Sequence, residues 1–235
     1  MSIANFGRSR FAKFLPLTTY VYSLGYILLA GACLIRWGSP DPWLRFDLFS
    51  GGYLLLRTLG SVHSIFAGRS VFRSPQVMQE WWATNSDPGG IQRVMILMAL
   101  DLTVFLDYAH WRAWTLLELP TLQSCGLVLY AGAIAWQVWA DNYLARFFAQ
   151  GAPQKTPMRE GPYRFVRHPR YAAALCGKVA FALVFANGLG WLMAISWAAL
   201  LLRKVEVEEA HLRKLFGRGY EAYQRTTAKV LPGVY

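Results

Sequence analysis

An all-α membrane fold with about six transmembrane spans is what this chain predicts, and three observations predict it. Hydrophobic residues make up 55% of the 235 residues and charged residues only 16%, against roughly 25% charged in soluble domains. The apolar residues fall in long blocks. Leu15–Ile35 runs 21 residues and Leu119–Ala140 runs 22 residues without a charge, where a bilayer-crossing helix needs about 20. The Lys and Arg residues, finally, are gathered between those blocks in the uneven way that membrane topology requires.

Taken in order, spans are expected near 15–35, 48–66, 94–109, 116–139, 171–187 and 189–203. The basic start, with Arg8, Arg10 and Lys13, leads into a stretch too long for a signal-peptide core and is read as a retained first helix. Arg57 in the second span and Asp101 in the third stand near mid-membrane, where a charge is expensive and is paired or functional. An interhelical Arg57–Asp101 pair is therefore expected. The connection 72–93 carries Trp81-Trp82, suited to the headgroup level, and the turn cluster Asp87-Pro88-Gly89-Gly90.

The fifth and sixth spans form a hairpin turning at Asn187-Gly188-Leu189-Gly190, whose residues tolerate positive φ. Its second arm has only 14 uncharged residues, Leu189–Leu202, about 21 Å of helix. The helix is thus expected to continue past Arg203-Lys204 and carry Glu208 and Glu209 out of the membrane. Leu212, Leu215, Phe216 and Tyr223 then mark an amphipathic cytoplasmic continuation. Residues 1–112 are a three-span region expected to select substrate, and 113–235 a core holding the cofactor site.

The net charge is +11. With six spans both termini share a side, which collects 19 of the 24 Lys and Arg, whereas Arg36, Arg45 and Arg112 face the other. That side is the cytoplasm by the positive-inside rule. The basic excess is topology and attraction to anionic headgroups, with no nucleic acid as partner. Cys33, Cys125 and Cys176 lie in apolar segments at unrelated spacings and read as small buried hydrophobes; neither a disulfide framework nor a metal site follows from them.

The chemistry concentrates in Gly161-Pro162-Tyr163-Arg164-Phe165-Val166-Arg167-His168-Pro169-Arg170-Tyr171. Proline suits the first turn of a helix. A helix starting at His168-Pro169 would aim free N–H groups and its positive dipole end at the interface, an anion site reinforced by Arg164, Arg167 and Arg170. One hairpin away, Glu208 and Glu209 can accept from ammonium or hydroxyl groups; the alternative for Glu209 is an i,i+4 pair with Arg213. A ligand with a carboxylate at one end and an amine or ribose at the other satisfies both halves, and S-adenosylmethionine has those groups. Tyr163, Tyr171 and Tyr220 are candidate cation–π partners, His168 a candidate catalytic base, and Arg57, Asp101 and Lys178 candidate substrate contacts.

Residues 157–235 resemble the C-terminal region of the isoprenylcysteine carboxyl methyltransferases and their phospholipid N-methyltransferase relatives. The resemblance rests on Gly161-Pro162-Tyr163, Arg167-His168-Pro169, Tyr171, Glu208-Glu209, Leu212, Phe216-Gly217, Tyr220, Tyr223 and Leu231-Pro232. Ala173 stands where that family has glycine, and Arg159 where it has threonine. The resemblance implies S-adenosylmethionine as cofactor, with Tyr163, Arg167, His168, Pro169, Tyr171, Glu208 and Glu209 around it, and a lipid-like or isoprenoid acceptor. The acceptor stays open among a prenylated thiol or carboxylate, a phospholipid amine, a quinone-like isoprenoid and a small thiol. Two alternatives compete: membrane sterol reductases, which use NADPH and share the Arg-His-Pro segment, and a non-enzymatic scaffold or transporter.

Overall fold

The computed structural model describes residues 23–35, 47–71, 90–149 and 156–233. The basic start, Arg36, Arg45 and the Trp81-Trp82 connection lie outside the described residues. Every regular element among them is a helix. The helices are α1 (Ser23–Leu34), α2 (Leu48–Val71), α3 (Gly90–Leu106), α4 (Pro120–Ala149), α5 (Pro169–Phe185), α6 (Gly188–Phe216) and α7 (Arg218–Thr226). A π-helical turn, Asp107–Trp111, closes α3, and a 3-10 turn, Gly161–Arg164, precedes α5.

The helix starts follow local chemistry. Asp47 caps α2, its Oδ1 accepting from the amides of Phe49 at 3.0 Å and Ser50 at 2.8 Å. Proline occupies the first position of α4 and α5, where its missing N–H costs nothing. Asn187 caps α6 by accepting from Leu189 N at 2.9 Å and Gly190 N at 3.2 Å.

That cap corrects the expectation for the hairpin. The left-handed residue is Ala186, at φ 44, and Asn187 is extended at φ −123 because its side chain is committed to the helix start. The fourth helix is also shifted. It begins at Pro120 and runs on to Ala149, since residues 113–119 are drawn against the hairpin instead: Leu116 N donates to Ala186 O at 2.7 Å, and Gly188 N to Trp114 O at 2.9 Å.

Asp107 locks this end of the bundle. Its fully buried carboxylate accepts from Ala113 N at 2.8 Å, from Trp114 N at 3.2 Å and from Asn187 Nδ2 at 2.7 Å. Asp107→Ala would leave the buried Asn187 amide without its acceptor, at about 1–3 kcal/mol, and would free the part-buried amides of Ala113 and Trp114. A fall in melting temperature of the detergent-purified protein, with expression reduced, is the expected outcome; an unchanged melting temperature would show the clasp to be dispensable.

α5 packs along α4, which has α2 on another face, and α6 lies against α5 and α3. Their meeting place is aromatic. Tyr53, Phe105, Phe181 and Phe185 touch one another with ring centroids 4.9 to 5.9 Å apart, mostly edge to face, the preferred geometry. Helices from both halves of the chain thus share one core.

The exterior is apolar. Leu24, Leu28 and Leu29 on α1, Leu55, Leu59 and Phe66 on α2, and Leu192 and Ile195 on α6 all point outward, an arrangement that marks a lipid or protein contact. Among the described residues one helix, Gly188–Phe216, is both long and apolar enough to cross a membrane. It continues past Arg203-Lys204 to bring Glu208 and Glu209 beyond its apolar part, as its short uncharged stretch requires.

Two further expectations are corrected here. Leu215 is 53% exposed, off the packed face, because α6 ends at Gly217 (φ 53) and α7 leaves in a new direction to bury Tyr220 and Tyr223. The cysteines are less enclosed than expected: Cys125 is on the exterior and Cys33 and Cys176 are half-buried, all three as free thiols.

Candidate functional site

The site is built where the start of α5, the middle of α6 and α7 converge. Gly161 opens the turn that leads into it. Its φ of 57 is left-handed, and a Cβ there would fall 2.7 Å from the Tyr143 ring, so only glycine fits. The Tyr223 hydroxyl donates to the Tyr163 carbonyl and closes the turn onto α7. The segment after it runs beside the tail. Val166 bridges Ala228 in parallel, while Arg167 N donates to Ala228 O at 2.8 Å and His168 N to Lys229 O at 3.0 Å.

Glu209 is the hub. Its Oε1 accepts from Arg167 Nε at 2.8 Å and Nη2 at 2.8 Å, and lies 3.2 Å from His168 Nε2. Its Oε2 accepts from Gln224 Nε2 at 2.9 Å. Arg167 Nη1 turns away to the carbonyls of Gln224, at 3.0 Å, and Thr227. The i,i+4 alternative does not form, for Arg213 Nε reaches only the Glu209 backbone carbonyl, at 3.4 Å.

Electrostatics follow from this packing. Burial alone would raise the Glu209 carboxyl, but hydrogen bonds from His168 and Arg167 overcome it and hold the pKa at about 2, below the ordinary 4.5. A depressed carboxylate stabilises the fold fully above its unfolded pKa and progressively less as pH falls through the folded one. Melting temperature should therefore decline as pH drops from about 4.5 toward 2, and Glu209→Gln should flatten the profile in that window; an equally steep decline in the variant would assign it to other groups. Tyr220 and Tyr223 are held protonated, burial first and the Glu209 charge after it raising both.

The expected anion site is altered by the same contacts. Pro169 has no N–H, and the amides of Tyr171 and Ala172 both donate to the His168 carbonyl at 3.1 Å. Arg167 is neutralised by Glu209, and Arg170 Nε binds Asp141 Oδ1 at 2.8 Å. Arg164 lies outside, over the Phe165 ring at 4.4 Å. Arg164 and Arg170 are the exposed members of the three, the Arg170 side chain by 53%.

Glu208 differs from its neighbour. Tyr171, stacked on His168 with centroids 5.7 Å apart, stands beside it. Its Oε2, however, is buried without a hydrogen-bond partner among the described residues, and so is the Tyr220 hydroxyl. Buried polar atoms are nearly always paired, so two orphans beside one cluster point to a guest. Tyr163, Arg167, His168, Pro169, Tyr171, Glu208 and Glu209 are all brought together here. Gln224 and Asp141 were not anticipated; the spacing Tyr220, Tyr223, Gln224, one face of a helix, was the available signal for the first.

Arg57, Asp101 and Lys178 form a second group, lining one cavity of about 270 Å³. The expected Arg57–Asp101 pair is corrected. Lys178 Nζ takes both Asp101 oxygens at 2.7 and 2.9 Å, and Tyr26 OH donates to Oδ2 at 3.2 Å. Arg57 instead lies over the Tyr26 ring at 5.0 Å and near Tyr53 and Tyr130.

A family model described as phospholipid methyltransferase matches residues 121–219. The match covers α4, the Gly161 turn, α5 and α6 and stops just before Tyr220. No curated protein matches the chain.

Proposed function

We propose that this chain, whose residues 121–219 match a family model described as phospholipid methyltransferase, is an integral membrane methyltransferase that uses S-adenosylmethionine and a lipid-like or prenylated acceptor. The observation that carries the proposal is the pair of orphaned buried atoms, Glu208 Oε2 and Tyr220 Oη, in a cluster the family match largely contains. Glu208 accepts from the ammonium or ribose hydroxyls of the cofactor, and Tyr220 offers a hydroxyl beside it. The half-exposed side chain of Arg170 is the cation assigned to a carboxylate. Bound there, S-adenosylmethionine supplies a methyl group already activated by its sulfonium.

The chain's own residues then position and exclude water. Tyr171 presents a ring face suited to a cation and is stacked on His168 behind it, with Glu208 nearby. His168, held by Glu209 and enclosed, is a positioning residue in this scheme rather than the base. Arg167 and Glu209 tie the α5 start, α6 and the tail into one rigid frame.

The proposed topology has six spans with both termini and the cofactor site cytoplasmic, supported by the Lys and Arg distribution and the apolar exterior. Residues 1–112 contribute the substrate side. Incubating purified protein with methyl-labelled S-adenosylmethionine and membrane lipid extract is the test. Label in an organic-extractable product, absent with Glu208→Ala, is expected; label transfer unaffected by that change would move the site elsewhere, and reduction of a sterol with NADPH would replace the assignment.

A further inference from the structure

The cavity around Arg57 holds an imbalance that the chain does not resolve. Its walls are α1 to α5, with Trp197 of α6 closing one side, and Leu97, Met98, Ile134 and Phe181 make much of the lining apolar. Its charges are Arg57, Lys178 and Asp101. Lys178 and Asp101 neutralise each other at 2.7 Å. Arg57 lies over the Tyr26 ring with Tyr53 and Tyr130 nearby, so one cation remains without a carboxylate among the described residues. At this depth in an apolar bundle that is costly.

The unmet hydrogen-bonding groups have one character. Arg57 Nε, His63 Nε2 and Trp197 Nε1 are buried without partners among the described residues, and all three residues line the cavity. Arginine and indole nitrogens are donors only, and a histidine nitrogen donates in one tautomer. Lys178 Nζ sits 5.4 Å from the Trp197 ring centre, so the indole face is occupied and its N–H remains. Three donors and an excess positive charge call for a guest that accepts hydrogen bonds and is negatively charged.

The location connects this guest to the first site. Ala173 and Gly177 of α5 line the cavity, one and two turns beyond Pro169, about 6 and 12 Å along the helix. The cavity thus begins one turn from the His168–Glu209 cluster and runs inward. At about 270 Å³, it is just below the usual range for small-molecule pockets, about 300–1,000 Å³. It holds one head group and the start of a chain, the rest extending into the apolar surroundings.

We propose that this cavity binds a single-chain amphiphile bearing an oxyanion, a carboxylate or phosphate, with the anionic group among Arg57, His63 and Trp197. That the guest is the methyl acceptor rests on the methyltransferase assignment; the anion binding does not. The probe is radiolabelled decanoate, added to the full chain in phosphatidylcholine nanodiscs without S-adenosylmethionine. Saturable binding is expected, displaced by decyl phosphate and not by decanol or decylamine. It should weaken about tenfold or more in Arg57→Gln, the loss of a charge-assisted contact, and severalfold in Trp197→Phe, which keeps the ring and loses the N–H. Glu208→Gln should leave it unchanged.

Lysophosphatidylglycerol in the disc that abolishes decanoate binding identifies a single-chain membrane lipid as the natural source, and no competition identifies a free amphiphile. Displacement by decylamine equal to that by decyl phosphate overturns the proposal, as does full-affinity binding in Arg57→Gln. Should Arg57→Gln fail to fold, unchanged binding in Trp197→Phe and His63→Leu is the contradicting result. Anion binding by a protein that binds no S-adenosylmethionine removes the methyltransferase assignment and leaves the cavity assignment standing.

Discussion

Glu209→Ala is expected to unfold the C-terminal end of the protein as well as to abolish activity. Arg167 and Glu209 are 7% and 3% exposed, and removing one member of a buried pair costs about 3–5 kcal/mol. Three groups lose their acceptor at once: the Arg167 guanidinium, the His168 ring and the Gln224 amide. The Arg167 and His168 backbone is also what bonds the tail at Ala228 and Lys229, so detachment of the tail and α7 should accompany the loss. Limited proteolysis near residues 217–233 together with the melting temperature reads this directly. Native protection with only cofactor affinity reduced would mean that Glu209 is a ligand residue instead of a frame.

Glu208→Gln should behave in the opposite way. Its Oε2 has no hydrogen-bond partner among the described residues, so removing the charge relieves an unsatisfied group, and stability should hold or rise slightly. Cofactor affinity should fall by about tenfold to a hundredfold, the worth of one charge-assisted hydrogen bond at roughly 1.5–3 kcal/mol. The adjacent glutamates therefore separate a frame residue from a binding residue within one helical step. A variant that melts lower and binds as before would reverse their roles.

The parts of this molecule with a local physical cause were legible in its sequence. Pro169 marks a helix start because its φ and missing N–H suit nothing else there as well, and the short uncharged arm 189–202 forces α6 to continue to the glutamates. What escaped depends on contacts between distant segments. The Asp107–Asn187 bond joins residues 80 apart, and no periodicity within either segment announces it. Which cation reaches Asp101 depends on how α2, α3 and α5 are rotated about their axes, so the pairing with Arg57 expected from depth alone gave way to Lys178.

The anion half of the site was misjudged for a related reason. Counting arginines near a helix start omits the carboxylates that fold back on them, and Asp141 and Glu209 take Arg170 and Arg167 respectively. The site that results is less a bipolar clamp than a neutralised frame with two open polar atoms. In the proposed function Glu208 takes the recognition expected of five charges, Arg164, Arg167, Arg170, Glu208 and Glu209.

Equilibrium binding of S-adenosylmethionine to the detergent-purified full chain tests this most directly, with NADPH in parallel and Glu208→Gln beside the wild type. The expected result is saturable S-adenosylmethionine binding, weakened about tenfold or more in the variant at unchanged melting temperature, and no NADPH binding. Saturable NADPH binding without S-adenosylmethionine binding, or equal S-adenosylmethionine affinity in both proteins, would contradict the assignment.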